Sequence, residues 1–201
     1  MDDINILAWG RSTEHNCRAL TQVHNQCFEW ARKHGATFAP AKYELIHLTR
    51  YPRKFNLKAT ISFGEVEVLP KAHVRVLGIE IDSKLRWSPH VRRVQSKLEQ
   101  QTNALTRIAT STWGATLGKA RLVYTAVVRP ALSYGVPIWF SPEGKEATKP
   151  SLLRPLEVIQ NRCLRVVSRA YKATPIPLLE SKTNVLFVRD HFSKLQAQYQ
   201  L

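Results

Sequence analysis

The apolar pattern of the chain changes period at Asp82. Before it, short runs alternate apolar and polar residues, as a half-buried strand does. After it, apolar residues recur every three or four positions, as they do along one face of a helix. That order predicts an α+β fold. Its strand-bearing part covers residues 1–82 and its all-helical part residues 83–201. With 201 residues, 44% of them hydrophobic, the chain is long enough for one buried core or two small subdomains.

Within the first part, the apolar run from Ile4 to Trp9 reads as a buried strand ended by Gly10. Ser12 or Thr13 then caps a helix with Leu20, Val23, Cys27, Trp30 and Ala31 on one face, and Gly35 stops it. Residues 37–42 form a loop, and a strand follows over residues 44–48. Alternation around Gly64 predicts a β-hairpin over residues 59–69, and a further strand runs through residues 74–81. In the second part, Ser88 and Pro89 suit the start of a helix that runs to about Thr110. The next helix covers about Thr116 to Val128, breaks at Pro130 and continues to Trp139. After a polar loop, a long helix covers about Leu152 to Lys172. Pro175 and Pro177 interrupt it, and a last helix includes Val185 to Gln200.

Thirty Lys and Arg face fifteen Asp and Glu, a formal charge of +15. Such an excess, spread through folded segments, points to a polyanionic partner, with nucleic acid ahead of a membrane surface because the cations do not form one juxtamembrane cluster. No run approaches the roughly 20 apolar residues that span a bilayer, and no membrane role is expected. The acids at the N-terminus do not resemble a secretory leader, so the expected setting is intracellular. Cys17, Cys27 and Cys163 form no C-x-x-C pair. Although His24 and Cys27 can share a helix face, a zinc site is not expected.

The helices sort their charges. On the helix after Pro89, Val91, Val94, Leu98, Leu105 and Ile108 share an arc of about 100°, while Arg92, Arg93, Lys97 and Arg107 lie opposite. On the next long helix, Arg154, Arg162, Arg165, Arg169 and Lys172 fall within an arc of about 80°, opposite Leu156, Ile159, Cys163 and Val166. Any amphipathic helix has a solvated charged face. A row of five cations about 30 Å long with no acid to pair them, however, also suits a surface that tracks phosphates.

Asp2 and Asp3 alone would read as a solvated end or a helix cap. The order of features after them resembles a reverse transcriptase of the non-LTR, LINE-like kind. Met1-Asp2-Asp3 followed by an apolar run is similar to the Asp-Asp hairpin motif of that family, without its aromatic residue. Gly35, Phe38, Ala39, Lys42 and Glu44 resemble the palm motif that follows. The segment from Val76 to Asp82, with Leu85, Trp87 and His90, resembles the palm-to-thumb junction. Tyr134-Gly135 with Trp139, and Gln160-Asn161-Arg162 with Leu164-Arg165, resemble the segment after the thumb. The similarity runs through nearly the whole chain in the family's order.

The resemblance implies a partial polymerase palm, made of short antiparallel strands and one helix, followed by a helical thumb and connection region. It implies an RNA template and a DNA primer as partners, and Mg²⁺, which hard carboxylate oxygens suit. By resemblance Asp2 is the metal ligand and Asp3 supports it. Lys42 matches the lysine proposed in the family to protonate pyrophosphate or position the nucleotide, and it equally suits an exposed loop lysine. Leu77 and Gly78 would lie in a primer-gripping hairpin. The family's other metal-binding aspartate and its fingers lie upstream of the matched motifs, so this chain alone is expected to lack polymerase activity, with the remaining polymerase half as an expected partner. The alternatives are a non-catalytic nucleic-acid-binding helical module and a relic of a degenerate element. Nuclear or ribonucleoprotein localisation follows from the resemblance alone.

Overall fold

The computed structural model describes residues 4–49, 51–64, 66–109, 114–144 and 147–199. The chain divides into two compact units, Met1–Pro89 and His90–Leu201. The elements are mixed, with two short antiparallel sheets and a majority of helix, consistent with an α+β class.

Helix α1 (Thr13–Lys33) starts where the Ser12 hydroxyl accepts the backbone N–H of His15, an N-cap that satisfies one of the helix's unpaired donors. Its inward face differs from the predicted one. Val23 and Trp30 are exposed, whereas Cys17 and Leu20 pack with Leu45, Ile61 and Val68. Farther along the same face His24 stacks on Phe63 with ring centroids 3.8 Å apart and shares a 2.8 Å hydrogen bond with the Tyr43 hydroxyl. The helix is thus anchored by an aromatic cluster that also includes Phe28 and Phe38.

Strands β1 (Ile61–Phe63) and β2 (Val66–Val68) form the hairpin predicted around Gly64. The single strand expected over residues 74–81 is instead two, β3 (His73–Val76) and β4 (Ile79–Asp82). The register pairs Val76 with Ile79, so Leu77 and Gly78 are a two-residue loop, both at positive φ (47° and 83°). That is the primed turn matching the right-handed twist of the strands it joins. Reading residues 74–81 as one strand overlooked the glycine among them, which permits the reversal.

Two predicted strands are absent. Residues 4–9 have no regular structure, and Leu7 and Trp9 are 73% and 83% exposed. A strand exists only as a member of a ladder, and among the described residues nothing pairs with this run. Residues 44–48 contribute one isolated bridge, Leu45 to Pro70, with Lys71 N–H donating to the Leu45 carbonyl at 2.8 Å.

The helical unit begins within α2 (Ser88–Ile108), which buries Val91, Val94, Leu98 and Leu105 as its periodicity requires, while Ile108 is exposed. It continues through α3 (Leu117–Val123), a wide π turn (Tyr124–Val128), α4 (Arg129–Leu132), α5 (Val136–Trp139), α6 (Pro150–Ser168), α7 (Ile176–Thr183) and α8 (Val188–Tyr199). Pro130 does not break the helix as expected. The π turn ahead of it lets Arg129 N–H reach back to the Tyr124 carbonyl, and the widened turn accommodates the proline ring. The break falls instead at Gly135, which sits at φ 68°. Two ends also differ from expectation. Helix α6 stops at Ser168 rather than Lys172, and the last helix starts at Val188, with the unpredicted α7 before it. Prolines 175 and 177 start α7 rather than merely ending α6, as suits residues whose missing N–H falls in a first turn. The core of the unit is aromatic and aliphatic: Phe192 meets Trp139 and Phe140 edge-on at 5.5 and 5.4 Å, above buried Leu132, Leu153, Leu156 and Leu164.

Candidate nucleic-acid interface

The residues that carry the sequence resemblance turn out to build the fold. Asp82 closes β4 and is buried. Its carboxylate accepts backbone N–H groups from Lys84 and Arg86, both at 3.1 Å, and from Trp87 at 2.7 Å. This holds a loop in which Leu85 and Trp87 both sit at positive φ, 51° and 63°, conformations that side chains disfavour. His90 is 1% exposed, and its Nε2 lies 3.4 Å from the Tyr134 carbonyl, which also accepts the Trp139 indole N–H at 3.2 Å. Gln160 is buried between the Tyr124 hydroxyl, which donates to its Oε1 at 2.9 Å, and the Leu186 carbonyl, which accepts from its Nε2 at 3.1 Å. In the strand-bearing unit, Glu44 accepts from Lys71 at 2.7 Å, and that bond holds its carboxyl below the usual range. The resemblance singled these residues out without revealing their partners, which are backbone groups for Asp82, His90 and Trp139, a hydroxyl and a backbone carbonyl for Gln160, and a lysine side chain for Glu44.

The candidate chemical residues are less gathered. Asp2 and Asp3 lie outside the described residues. Lys42 ends a short 3₁₀ turn, Pro40–Lys42, and is exposed. The Leu77–Gly78 turn is exposed at Leu77. Among the described residues no group of three or more His, Cys, Asp or Glu is placed to hold a metal ion.

The cations are where the second unit stands out. Residues 90–201 hold seventeen Lys and Arg against six Asp and Glu, whereas residues 1–89 hold thirteen against nine. On α2, Arg92, Arg93, Lys97 and Arg107 are all exposed on the side away from the buried valines and leucines. Arg92, Lys97 and Arg107 make no hydrogen bond or ion pair among the described residues. Helix α6 lies beside α2, tied to it by the Thr102 hydroxyl and Cys163 thiol at 3.1 Å and by Arg162 donating to Asn103 Oδ1 at 3.1 Å. Between them runs a groove of ≈ 330 Å³ lined by Gln95 and Glu99 on one wall and by Arg154, Val158 and Arg162 on the other. Among the described residues Glu99 is the one acid lining it, and it accepts from Gln95 at 3.0 Å.

The five-cation stripe expected on one helix face is corrected by the early end of α6. Arg154, Arg162 and Arg165 are on the helix, Arg169 is its left-handed C-cap at φ 52°, and Lys172 lies in the loop beyond. Several of these cations also bind carbonyls. Arg165 Nε donates to the Lys172 carbonyl at 3.2 Å, and Arg169 donates to those of Gly114 and Ala115 at 3.3 and 3.0 Å. Carbonyls satisfy donors without removing charge, so the guanidiniums stay cationic and their directions become fixed. Arg121, not singled out from sequence, caps α7 the same way through the Thr183 and Asn184 carbonyls.

The perturbed groups lie inside the unit rather than on this face. Burial pushes the Tyr124 hydroxyl well up, and pulls Arg129 down. Burial, with Arg129 and Lys194 nearby, lowers His191 to about 4. Burial, with Asp190 nearby, raises the Glu180 carboxyl. None marks a reacting centre on the groove. Among the described residues no helix is long and apolar enough to cross a membrane.

Comparison with known proteins gives a consistent picture. The chain is similar to the "Probable RNA-directed DNA polymerase from transposon BS" of Drosophila melanogaster, 26% identical over 98% of this chain and 21% of that protein. It is similar to the "Retrovirus-related Pol polyprotein from type-1 retrotransposable element R1 2" of Nasonia vitripennis, 22% identical over 82% of this chain and 41% of that one. A corresponding R1 Pol polyprotein of Bradysia coprophila is 22% identical over 83% of the chain and 16% of its own length. The chain therefore spans well under half of each of these relatives. No family model matches, and no solved structure matches. The homologues of this chain are the Pol polyproteins and RNA-directed DNA polymerases of non-LTR retrotransposable elements, alike at low identity over most of its length.

Proposed function

We propose that this chain is the part of a retrotransposon RNA-directed DNA polymerase that holds nucleic acid, with its strand-bearing unit as palm and its helical unit as thumb. The observation that carries this reading is the cationic pair of helices, α2 and α6. It combines Arg92, Lys97 and Arg107, exposed on α2 and without a partner among the described residues, with Arg154 and Arg162 of α6, which line the groove between the two helices, in a unit of seventeen cations and six acids. The named relatives include a polymerase that copies RNA into DNA, so the proposed partners are an RNA template and a DNA primer. Contacts of this kind position a strand without reading its sequence. Such a role implies an intracellular, nuclear or ribonucleoprotein setting.

The test is the salt dependence of binding. Each neutralised phosphate contributes a slope of about 0.7 to 0.9 in log affinity against log salt. Wild-type chain bound to an RNA–DNA duplex is expected to show a steep slope. Exchanging Arg92, Lys97 and Arg162 for alanine should reduce it by about two to three. A flat wild-type slope, or one unchanged by the triple exchange, rejects the interface.

For the chemistry, Mg²⁺ is the proposed metal and would supply activation of the primer 3′-oxygen and stabilisation of pyrophosphate. The residues proposed to hold it are Asp2 and Asp3, with Lys42 proposed near the nucleotide. One acidic pair is half of what a two-metal site requires, so the 201-residue chain is expected not to extend a primer by itself. Primer extension with Mg²⁺ checks this. Incorporation that Asp2→Ala abolishes would show the chain to be a complete polymerase.

A further inference from the structure

The loop beyond α6 carries an aromatic side chain that the fold does not use. Tyr171 is 87% exposed, and its ring makes no hydrogen bond or ring contact among the described residues. The backbone under it is nonetheless firmly held. Ala170 N–H donates to the Arg165 carbonyl at 3.0 Å, Thr174 N–H closes a turn onto the Tyr171 carbonyl at 3.1 Å, and Arg165 Nε donates to the Lys172 carbonyl at 3.2 Å. Arg169, two residues before the tyrosine, is pinned to the Gly114 and Ala115 carbonyls, and Lys182 Nζ reaches the Ser168 carbonyl at 3.4 Å.

The plain account of these cations is that they offset the negative end of α6 and satisfy nearby carbonyls. A helix C-terminus, however, carries only about half a negative charge. Arg165, Arg169, Lys172 and Lys182 together exceed it by more than three. The result is a positive rim, with Arg165, Arg169 and Lys182 held by carbonyls and the Lys172 side chain without a partner among the described residues, around a tyrosine standing in water on a hydrogen-bonded loop.

We infer that Tyr171 is a stacking platform for an unpaired base of a single-stranded nucleic acid, with Arg169 and Lys172 on its flanking phosphates. This inference rests on the nucleic-acid reading of the helical unit and adds a single-strand subsite to it. A loop already ordered loses little entropy on binding, and a ring face accepts any base, so the subsite should be indifferent to sequence. A base pair inside a duplex presents no free face and should not use it.

Fluorescence anisotropy with oligouridylate, oligothymidylate and a blunt duplex tests the subsite. Tyr171→Ala is expected to weaken single-strand binding about tenfold while leaving duplex binding and the salt slope unchanged. Tyr171→Phe should restore single-strand binding, because the ring and not the hydroxyl stacks. Lys172→Ala should instead lower the single-strand salt slope by about 0.7. A loss confined to the RNA or the DNA oligonucleotide identifies which strand occupies the site. Thermal unfolding should be the same for all three variants, since neither side chain is packed. Single-strand affinity unchanged by Tyr171→Ala, with the salt slope intact, overturns the platform and leaves the phosphate interface standing. Wild-type chain that binds none of the three probes overturns both.

Discussion

Replacing Asp82 with alanine is expected to destabilise the strand-bearing unit by about 3 kcal/mol. Hydrogen bonds to a charged acceptor contribute about 1.5–3 kcal/mol each, and three backbone donors lose theirs. Water can reach part of this loop, which keeps the total below the simple sum. The carboxylate also holds Leu85 and Trp87 in left-handed conformations that cost about 1–2 kcal/mol apiece. Without it the loop relaxes instead of merely losing contacts. Amide exchange at Lys84, Arg86 and Trp87 is the direct readout, because those N–H groups are the ones released. Asp82→Asn keeps one carbonyl oxygen and should lose about half as much. Protection unchanged in Asp82→Ala would mean that turn geometry alone fixes the loop.

Gln160→Ala should cost the helical unit about 4 kcal/mol, the larger of the two effects. The side chain is 2% exposed, and its removal leaves a cavity and strips partners from the Tyr124 hydroxyl and the Leu186 carbonyl. Gln160→Leu fills the space but leaves both groups unpaired, for a loss of about 2 kcal/mol. Adding Tyr124→Phe to Gln160→Leu should recover part of that loss by removing one stranded hydroxyl. Denaturant unfolding of Gln160→Leu, Tyr124→Phe and the double variant gives the coupling between the two sites. Additive losses in the double variant would show that Tyr124 and Gln160 do not act through their shared bond.

These two side chains also show what the sequence could reveal and where it stopped. Periodicity was enough to place Val91, Val94, Leu98 and Leu105 inward and the α2 cations outward, because burial on a helix follows from spacing alone. Asp82, His90, Trp139 and Gln160 stood out only through the family resemblance. The resemblance could not assign their partners, since Lys84 N–H, the Tyr134 carbonyl and the Leu186 carbonyl are backbone groups brought near by the fold. The apolar run at residues 4–9 was misread as a buried strand because composition does not show whether a neighbouring strand exists. Arg169 and Lys172 were placed on a helix face that ends before them. Their positions matched the helical period by coincidence with a cationic loop. The acid pair Asp2 and Asp3 and the lysine Lys42 were legible only as a resemblance, because no spacing argument ties one short acidic motif to a distant lysine.

The wide turn at Tyr124–Val128 makes sense of another pattern. Ala120, Tyr124, Val128, Leu132 and Val136 are all buried, at strict intervals of four. On a straight α-helix such a row drifts about 40° per step and would end up on the far side of the axis. Under-winding over one turn, followed by the swivel at Gly135, cancels the accumulated drift and keeps the five side chains on one seam. The extra residue thus acts as a leap day in the chain's calendar, resetting a count of four against a helix that counts 3.6.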